Sequence, residues 1–232
     1  MVSESKNIGI VVVAAGSGSR YGASVPKQFL DLCGRPVLRH CLDTFRAALP
    51  GAPIVLVLSE TGREIWRDYC LASGYDSPCM VLGGDTRGES VLRGLKALEL
   101  PADAPVLVHD GARPLLSESL IAGLLAPFGS ADVCGTVPAL EMSDSMVEIE
   151  GEGFVPVARS RYRTVQTPQV FRLGSLLKAY TIPGHGSFTD ELSLMRAAGF
   201  DGIALVAGQK SNIKITHPSD LEVAEVLMKC SR

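Results

Sequence analysis

The chain has 232 residues, of which 46% are hydrophobic and 20% charged, a composition typical of a globular protein that buries a core without metals or disulfides. Its formal net charge of -3 provides no positive field that would attract nucleic acid, so we expect no nucleic-acid partner. No apolar run approaches the roughly 20 residues that span a membrane, so we expect a cytoplasmic protein that is not bound to a membrane. Six cysteines without a C-x-x-C pair predict neither a zinc site nor a disulfide framework.

Apolar runs rich in valine and isoleucine alternate with segments of helical periodicity. In chain order they predict a strand at 8–14, a helix at 36–48, a strand at 53–58, a helix at 61–73, a short strand at 80–82, a helix at 87–99, a strand at 105–109, a helix at 117–127, a strand at 132–138, helices at 174–180 and 189–198, a strand at 202–207 and a helix at 218–229. The runs are typical of strands buried on both faces of a parallel sheet. The alternation predicts an α/β fold, a Rossmann-like, mainly parallel sheet with helices on both faces, in a single domain over residues 1–232.

One stretch departs from this alternation, at about residues 140–160. Segments 146–150 and 154–157 flank Gly151-Glu152-Gly153 and predict a β-hairpin with a glycine turn. An isolated two-stranded hairpin is at best marginally stable in water, so a hairpin that projects from the sheet should pack against something else. We expect a projecting β-hairpin arm that is exchanged with a second subunit in a homodimer. The alternative is a plain surface flap.

A cationic glycine loop follows the first apolar run. The run breaks into Ala14-Ala15-Gly16-Ser17-Gly18-Ser19-Arg20, and Pro26-Lys27-Gln28 comes shortly after. Glycines let backbone N–H groups approach an anion closely, and Arg20 and Lys27 supply countercharge, so the loop predicts a phosphate cradle. The P-loop spacing is absent, and the dinucleotide fingerprint fails because Tyr21 stands where its third glycine belongs. Neither a P-loop ATPase nor a dehydrogenase is favoured; the plainer alternative is a simple turn.

Two further motifs follow strand runs and should meet the cradle. Gly83-Gly84-Asp85 comes after the run 80–82, and Asp110 comes after 106–109. Ligands of open parallel sheets bind in the crevice at the carboxyl ends of the strands, so we expect one shared crevice. A carboxylate at a strand end can hold a magnesium ion or a hydroxyl, although a turn or helix-capping aspartate is the plainer alternative for Asp110. We interpret His109 as a hydrogen-bonded core residue, and Arg87 as a solvated residue of the next helix.

The order of these motifs resembles that of nucleotidylyltransferases, and most closely the 2-C-methyl-D-erythritol 4-phosphate cytidylyltransferase family. The resemblance extends over nearly the whole chain. It recurs at Gly83-Gly84-Asp85-Thr86-Arg87, Val108-His109-Asp110-Gly111-Ala112-Arg113-Pro114, Thr167-Pro168-Gln169, Thr189-Asp190-Glu191 and Asn212-Ile213-Lys214-Ile215-Thr216. It implies a nucleotide-diphospho-sugar transferase-like fold, a homodimer and a Mg2+-dependent transfer of CMP from CTP to 2-C-methyl-D-erythritol 4-phosphate. The reaction releases pyrophosphate and belongs to non-mevalonate isoprenoid biosynthesis.

The resemblance also implies roles for particular residues. The catalytic residues implied are Arg20, Lys27, Arg159 and Lys214. The nucleotide-binding residues implied are Ala14, Ala15, Gly16, Gly18, Gly83, Gly84, Asp85, Ser90 and Gly111. The substrate-binding residues implied are Asp110, Arg113, Ser145, Thr189 and Asp190, with Asp110 also as the metal ligand. Arg161 and Arg163 are alternatives to Arg159, and Gly111 replaces an alanine common in the family while keeping the backbone donor.

Three other functions remain open from the sequence. A ribitol 5-phosphate cytidylyltransferase shares the nucleotide motifs and differs only in the acceptor pocket. A non-catalytic nucleotide-binding protein would bind CTP yet tolerate the loss of Lys27. A dehydrogenase with an unusual glycine loop would leave Lys27 and Lys214 without a role.

Overall fold

The computed structural model describes residues 5–16, 25–130 and 132–230 of the chain. The described strands are β1 (Gly9–Ala14), β2 (Asp31–Leu32), β3 (Arg35–Pro36), β4 (Ile54–Leu58), β5 (Cys79–Leu82), β6 (Pro105–Asp110), β7 (Gly135–Glu141), β8 (Met146–Glu150), β9 (Gly153–Val157), β10 (Arg163–Val165), β11 (Gln169–Arg172) and β12 (Ile203–Ala207). The described α-helices are α1 (Val37–Ala48), α2 (Glu60–Ser73), α3 (Arg87–Lys96), α4 (Glu118–Leu125), α5 (Leu173–Ala179), α6 (Glu191–Ala197) and α7 (Pro218–Cys230). Every strand and helix predicted from the periodicity is present, with bounds shifted by a few residues.

Eight strands form the central sheet, in the order β10-β7-β11-β6-β1-β4-β5, with β12 paired to β7. β1 runs parallel to both β4 and β6, β5 runs parallel to β4, and β12 runs parallel to β7. β10 and β11 run antiparallel to their neighbours. The mainly parallel α/β sheet predicted from the sequence is therefore confirmed. The periodicity did not predict β10 and β11, which are three and four residues long.

Helices cover both faces of this sheet because successive side chains of a buried strand point to opposite faces. Ile10 and Val12 of β1 pack with α1, α2 and α4 in one hydrophobic cluster. Val11, between them, packs with α3, α5 and α6 in a second cluster. No helix in the described part of the chain is long and apolar enough to cross a membrane.

The hairpin arm forms as predicted, between β8 and β9. It is a two-stranded sheet of its own, paired from Met146 with Val157 to Glu150 with Gly153, and Gly151 turns the chain at φ +59. Ile149 and Phe154 on the arm are 71% and 68% exposed. Large apolar side chains this exposed are typical of a surface that is covered in an assembly.

Candidate active site

A crevice of about 510 Å3 lies at the carboxyl ends of β1, β5 and β6. It brings together nine of the residues predicted for the site. They are Ala14, Ala15, Gly16, Lys27, Gly84, Asp85, Ser90, Asp110 and Lys214. Gln28, Thr86 and Arg87 also line it. Gly18 and Arg20, two further predicted residues, lie outside the described part of the chain.

The start of the glycine loop is held by Gln28. Its side-chain amide is buried and donates to the carbonyl oxygens of Ala14 at 2.7 Å and Gly16 at 3.1 Å. Lys27 precedes it in a short 3-10 helix, Lys27–Phe29, and lines the crevice. Gln28 therefore fixes the shape of the loop beside the lysine. The sequence offered a signal for this role, since Gln28 belongs to the Pro-Lys-Gln motif, but the motif alone gave it no function.

The second glycine loop packs directly against the first. A Cβ added at Gly83 would lie 2.5 Å from the Cβ of Ala15, so this approach requires a glycine. The Gly84 N–H donates to the Ser90 hydroxyl at 3.1 Å, and that hydroxyl donates to the Thr86 carbonyl at 2.9 Å. Ser90 thus supports the loop from the first turns of α3. The direct contact between Ser90 and a nucleotide stays a prediction.

Asp110, at the end of β6, is surrounded by three cations. The Lys214 ammonium donates to Oδ2 at 2.7 Å, an Arg87 nitrogen lies 3.5 Å from Oδ1, and the Arg113 Nε lies 3.8 Å from Oδ2. Burial raises the pKa of Asp110, but the positive charges of Arg87, Lys214 and Arg113 outweigh it and hold the pKa well below its usual range. Asp110 is therefore an ionised carboxylate at neutral pH.

Arg87 is not the solvated residue that the sequence suggested. Its guanidinium donates to both carboxylate oxygens of Glu191, Nη1 to Oε1 at 2.6 Å and Nη2 to Oε2 at 3.0 Å. Glu191 is 0% exposed and also accepts a hydrogen bond from the Tyr180 hydroxyl at 3.1 Å. Burial lowers the pKa of Arg87, but Glu191 and Asp110 raise it further than burial lowers it. Sequence reasoning missed this pair because its members lie 104 residues apart.

Behind Asp110 lies a buried hydrogen-bond chain. The Asp110 N–H donates to the Thr167 hydroxyl at 3.0 Å, and the hydroxyl lies 3.2 Å from His109 Nδ1. His109 Nε2 lies 3.2 Å from the Arg113 carbonyl oxygen, which can only accept, so Nε2 carries the proton and Nδ1 accepts from Thr167. Burial lowers the pKa of His109 to about 4. The interpretation of His109 as a core histidine is confirmed by its 0% exposure.

Two predicted residues have their polar groups engaged elsewhere. The Gly111 N–H donates to the Val13 carbonyl at 2.9 Å, so this donor is engaged within the protein, and a contact between Gly111 and the nucleotide stays a prediction. The Arg113 side chain donates to the Asn212 carbonyl at 2.8 Å and sits behind Asp110 rather than among the residues that line the crevice.

Three other predicted contacts lie away from the described lining of the crevice. Asp190 caps α6, where its Oδ1 accepts the Ser193 N–H at 2.8 Å. Ser145 and Thr189 are exposed, and neither is among the lining residues. Their substrate contacts stay predictions.

Arg159 lies in a different cavity, of about 750 Å3, which it lines with Arg163 and Lys210 at the base of the arm. Its side chain donates to the Ser143 carbonyl oxygen, and Arg163 pairs with Glu141 at 3.3 Å. Within one chain, then, Arg159 does not reach the crevice that holds Lys27 and Lys214.

Fold and site together define an α/β protein in which glycine loops and lysines meet in one crevice at the strand ends, an arrangement typical of proteins that bind phosphate groups. The family model described as IspD, 2-C-methyl-D-erythritol 4-phosphate cytidylyltransferase, matches residues 8–230. The cytidylyltransferase of that name from Porphyromonas gingivalis is 41% identical over 94% of this chain and 96% of its own length. The chain belongs to the 2-C-methyl-D-erythritol 4-phosphate cytidylyltransferase family, so the resemblance noted in the sequence is confirmed.

Solved structures agree with this assignment. A 2-C-methyl-D-erythritol 4-phosphate cytidylyltransferase from Thermus thermophilus superimposes with a TM-score of 0.73 at 33% identity, over 94% of this chain and 98% of that one. A 4-diphosphocytidyl-2C-methyl-D-erythritol synthase from Anaerococcus prevotii gives a TM-score of 0.80 at 29% identity, over 97% and 99% of the two chains.

Proposed function

We propose that this chain transfers CMP from CTP to 2-C-methyl-D-erythritol 4-phosphate and releases pyrophosphate, in the non-mevalonate route to isoprenoid precursors. The observation that carries the proposal is the meeting of Lys27, Lys214 and Asp110 with both glycine loops in one crevice, in a chain of this family. The ribitol 5-phosphate alternative is not favoured, because the family and the relatives reported above bear the methylerythritol name. We take residues 1–232 to act as one cytoplasmic nucleotidyltransferase domain.

In the reaction, a phosphate oxygen of the acceptor attacks the α-phosphorus of CTP. A new O–P bond forms, the bond between the α-phosphorus and the bridging oxygen breaks, and that oxygen leaves with pyrophosphate. Little covalent chemistry is asked of the protein, so positioning and electrostatic stabilisation dominate. Lys27 and Lys214 line the crevice and are suited to balance the charge that grows on the phosphate oxygens. We assign Arg20 the same task on the strength of the motif.

The residues of the crevice fit a Mg2+ ion that is held mainly by the substrate. Mg2+ usually binds proteins through one or two carboxylates together with substrate phosphates and water. Asp110 supplies one carboxylate, and the ion pair between its Oδ1 and Arg87 is long, at 3.5 Å. The described residues contain no group of three or more histidine, cysteine or acidic side chains that could form a metal cage. When bound, the ion would neutralise part of the triphosphate charge.

We further propose a homodimer in which the arm completes the partner's site. Two observations support it: the apolar side chains of the arm are exposed, and Arg159 stands in a cavity apart from Lys27. Mixing inactive Lys27→Ala and Arg159→Ala proteins after subunit exchange tests the idea. Mixed dimers hold one intact site, so about one quarter of wild-type activity should return. No recovered activity would place both residues in one subunit's site.

The activity itself is tested by pyrophosphate release with CTP and Mg2+. Three reactions are compared, with 2-C-methyl-D-erythritol 4-phosphate, with ribitol 5-phosphate and without acceptor. Turnover with the first alone supports the proposal, and a preference for ribitol 5-phosphate refutes the assigned acceptor.

Lys27→Ala should lower turnover by about 10²–10³ if it acts as one preorganised donor. A protein that binds CTP equally well with and without Lys27, and turns over neither acceptor, would instead be a nucleotide-binding module.

A further inference from the structure

The guanidinium of Arg87 is shared by two carboxylates from different parts of the chain. Glu191, the first residue of α6, takes two hydrogen bonds of 2.6 and 3.0 Å. Asp110, in the crevice, lies 3.5 Å from the nearer nitrogen. Bidentate salt bridges of this kind are the strongest pairs between arginine and a carboxylate, so Arg87 is held tightly by Glu191 and loosely by Asp110.

Glu191 is itself fixed in place. It is fully buried, and the Tyr180 hydroxyl donates to its Oε1 at 3.1 Å. The next residue, Leu192, is tied through its N–H to the side chain of Gln169 on β11, at 2.8 Å. A buried carboxylate is stable only when it is paired, so Glu191 keeps Arg87 as its partner.

The position of Arg87 matters for Asp110. Lys214 already holds Oδ2 of Asp110 at 2.7 Å, and an Arg87 nitrogen lies 3.5 Å from Oδ1. An arginine released by Glu191 would move onto Asp110, because that carboxylate is the other anion within reach of its Nη2. It would then occupy Oδ1 and compete with Lys214 for the same carboxylate.

We propose that Glu191 is a positioning residue for the transfer reaction: it holds Arg87 away from Asp110, so that Asp110 stays paired with Lys214 and keeps Oδ1 available to a ligand in the crevice. Tyr180 supports this role through its hydrogen bond to Glu191. The proposal rests on the proposed function, and it assigns to Glu191 an effect that passes entirely through Arg87.

The test is a double-mutant cycle with Glu191→Gln and Arg87→Met, measured by pyrophosphate release. Glutamine keeps the shape of Glu191 and an acceptor for Tyr180 but removes the charge. We expect Glu191→Gln to lower kcat about tenfold and to raise KM for CTP by only about threefold, because a positioning residue acts mainly on the geometry of the site. Glu118→Gln is the matched control, because Glu118 is exposed and stands at the same first position of α4. It should keep wild-type kinetics.

The decisive comparison is between Arg87→Met and the double variant. If Glu191 acts through Arg87, the double variant has the same kcat as Arg87→Met and melts at a higher temperature, because it no longer buries an unpaired carboxylate. A further loss of kcat in the double variant, multiplying the single losses, would overturn the proposal. Wild-type kinetics in Glu191→Gln with only a lower melting temperature would also overturn it, as a purely structural role.

A second readout separates this proposal from the proposed function. If the wild-type protein releases no pyrophosphate, the proposed function fails, and the cycle is then measured as the Kd for CTP by calorimetry. Weaker binding in Glu191→Gln together with equal Kd values in Arg87→Met and the double variant supports the coupling. Unchanged binding in Glu191→Gln, or additive weakening in the double variant, overturns it.

Discussion

Protonation of His109 should destabilise the protein as the pH falls below about 6.5, the usual pKa of a histidine. His109 is 0% exposed, and burial lowers its pKa to about 4 from the ordinary value of 6.5. A proton on Nδ1 would also face the Thr167 hydroxyl, which now donates to that nitrogen and accepts the Asp110 N–H. Protonation of His109 at low pH therefore disrupts the hydrogen-bond chain that positions the backbone of Asp110.

The size of the effect follows from the two pKa values. The difference of 6.5 - 4, about 2.5 units, corresponds to about 3 kcal/mol at 1.36 kcal/mol per unit. The free energy of unfolding falls with the pH because the pKa of His109 is lower in the folded protein than in the unfolded chain. Between pH 6.5 and 4 the unfolded chain therefore binds a proton that the folded protein does not. The stabilisation is complete above about pH 6.5 and is lost progressively down to about pH 4.

Urea unfolding at several pH values between 8 and 4.5 measures this loss. His109→Gln cannot take up the proton, so it should be less stable than wild type at pH 8, and the difference should shrink by about 2 to 3 kcal/mol towards the acid end. His217→Gln controls for the loss of a histidine as such, because His217 is exposed. Parallel pH profiles for wild type and His109→Gln would refute the reasoning.

Three further predictions concern the crevice and the helix behind it. Asp110→Asn should lower the stability at pH 7 by about 3 kcal/mol, because Lys214 loses its close partner and Arg87 and Arg113 lose a nearby negative charge. Urea unfolding should show this deficit shrinking below about pH 4, because the stabilisation from a carboxylate with a lowered pKa is lost as it becomes protonated. Gln28→Ala should weaken CTP binding about tenfold by calorimetry, since the loop carbonyls lose both donors; unchanged Kd would contradict this. Gly94→Ala should cost about 1–3 kcal/mol in unfolding free energy, because its Cβ would lie 2.5 Å from a Val11 methyl, whereas Gly123→Ala, with open space, should stabilise α4 slightly.

The regular elements were predictable because each one depends on its own stretch of sequence. Valine-rich runs become buried strands, and apolar residues at helical spacing become helices, whatever lies elsewhere in the chain. The crevice was predictable for a related reason. Once the strands are parallel, residues that follow them must meet at one edge, and Gly16, Gly84 and Asp110 do.

The missed features all depend on distant partners. Nothing in the sequence near Arg87 indicates that Glu191 is its partner. An arginine in the first turn of α3 could equally well be exposed to solvent. The short strand β11 contains only Gln169, Val170, Phe171 and Arg172, too few residues for a periodicity, and its place between β6 and β7 is set by tertiary pairing. The direction of the Gly111 N–H likewise follows from its neighbour strand β1 rather than from its own motif.

The crevice is thus assembled from the first half of the chain and held by the last third. The first half supplies the glycine loops, Lys27 and Asp110, which line the crevice. The last third supplies Lys214, and through Thr167 and Glu191 it fixes the backbone of Asp110 and the guanidinium of Arg87. The positive charges of Arg87 and Lys214 repel each other at this short distance unless each is paired with a negative charge. Glu191 pairs with Arg87, and Asp110 pairs with Lys214 and more weakly with Arg87. The triphosphate of the proposed substrate would require cations in this crevice, and the acidic side chains of Asp110 and Glu191 allow those cations to lie close together in the folded protein.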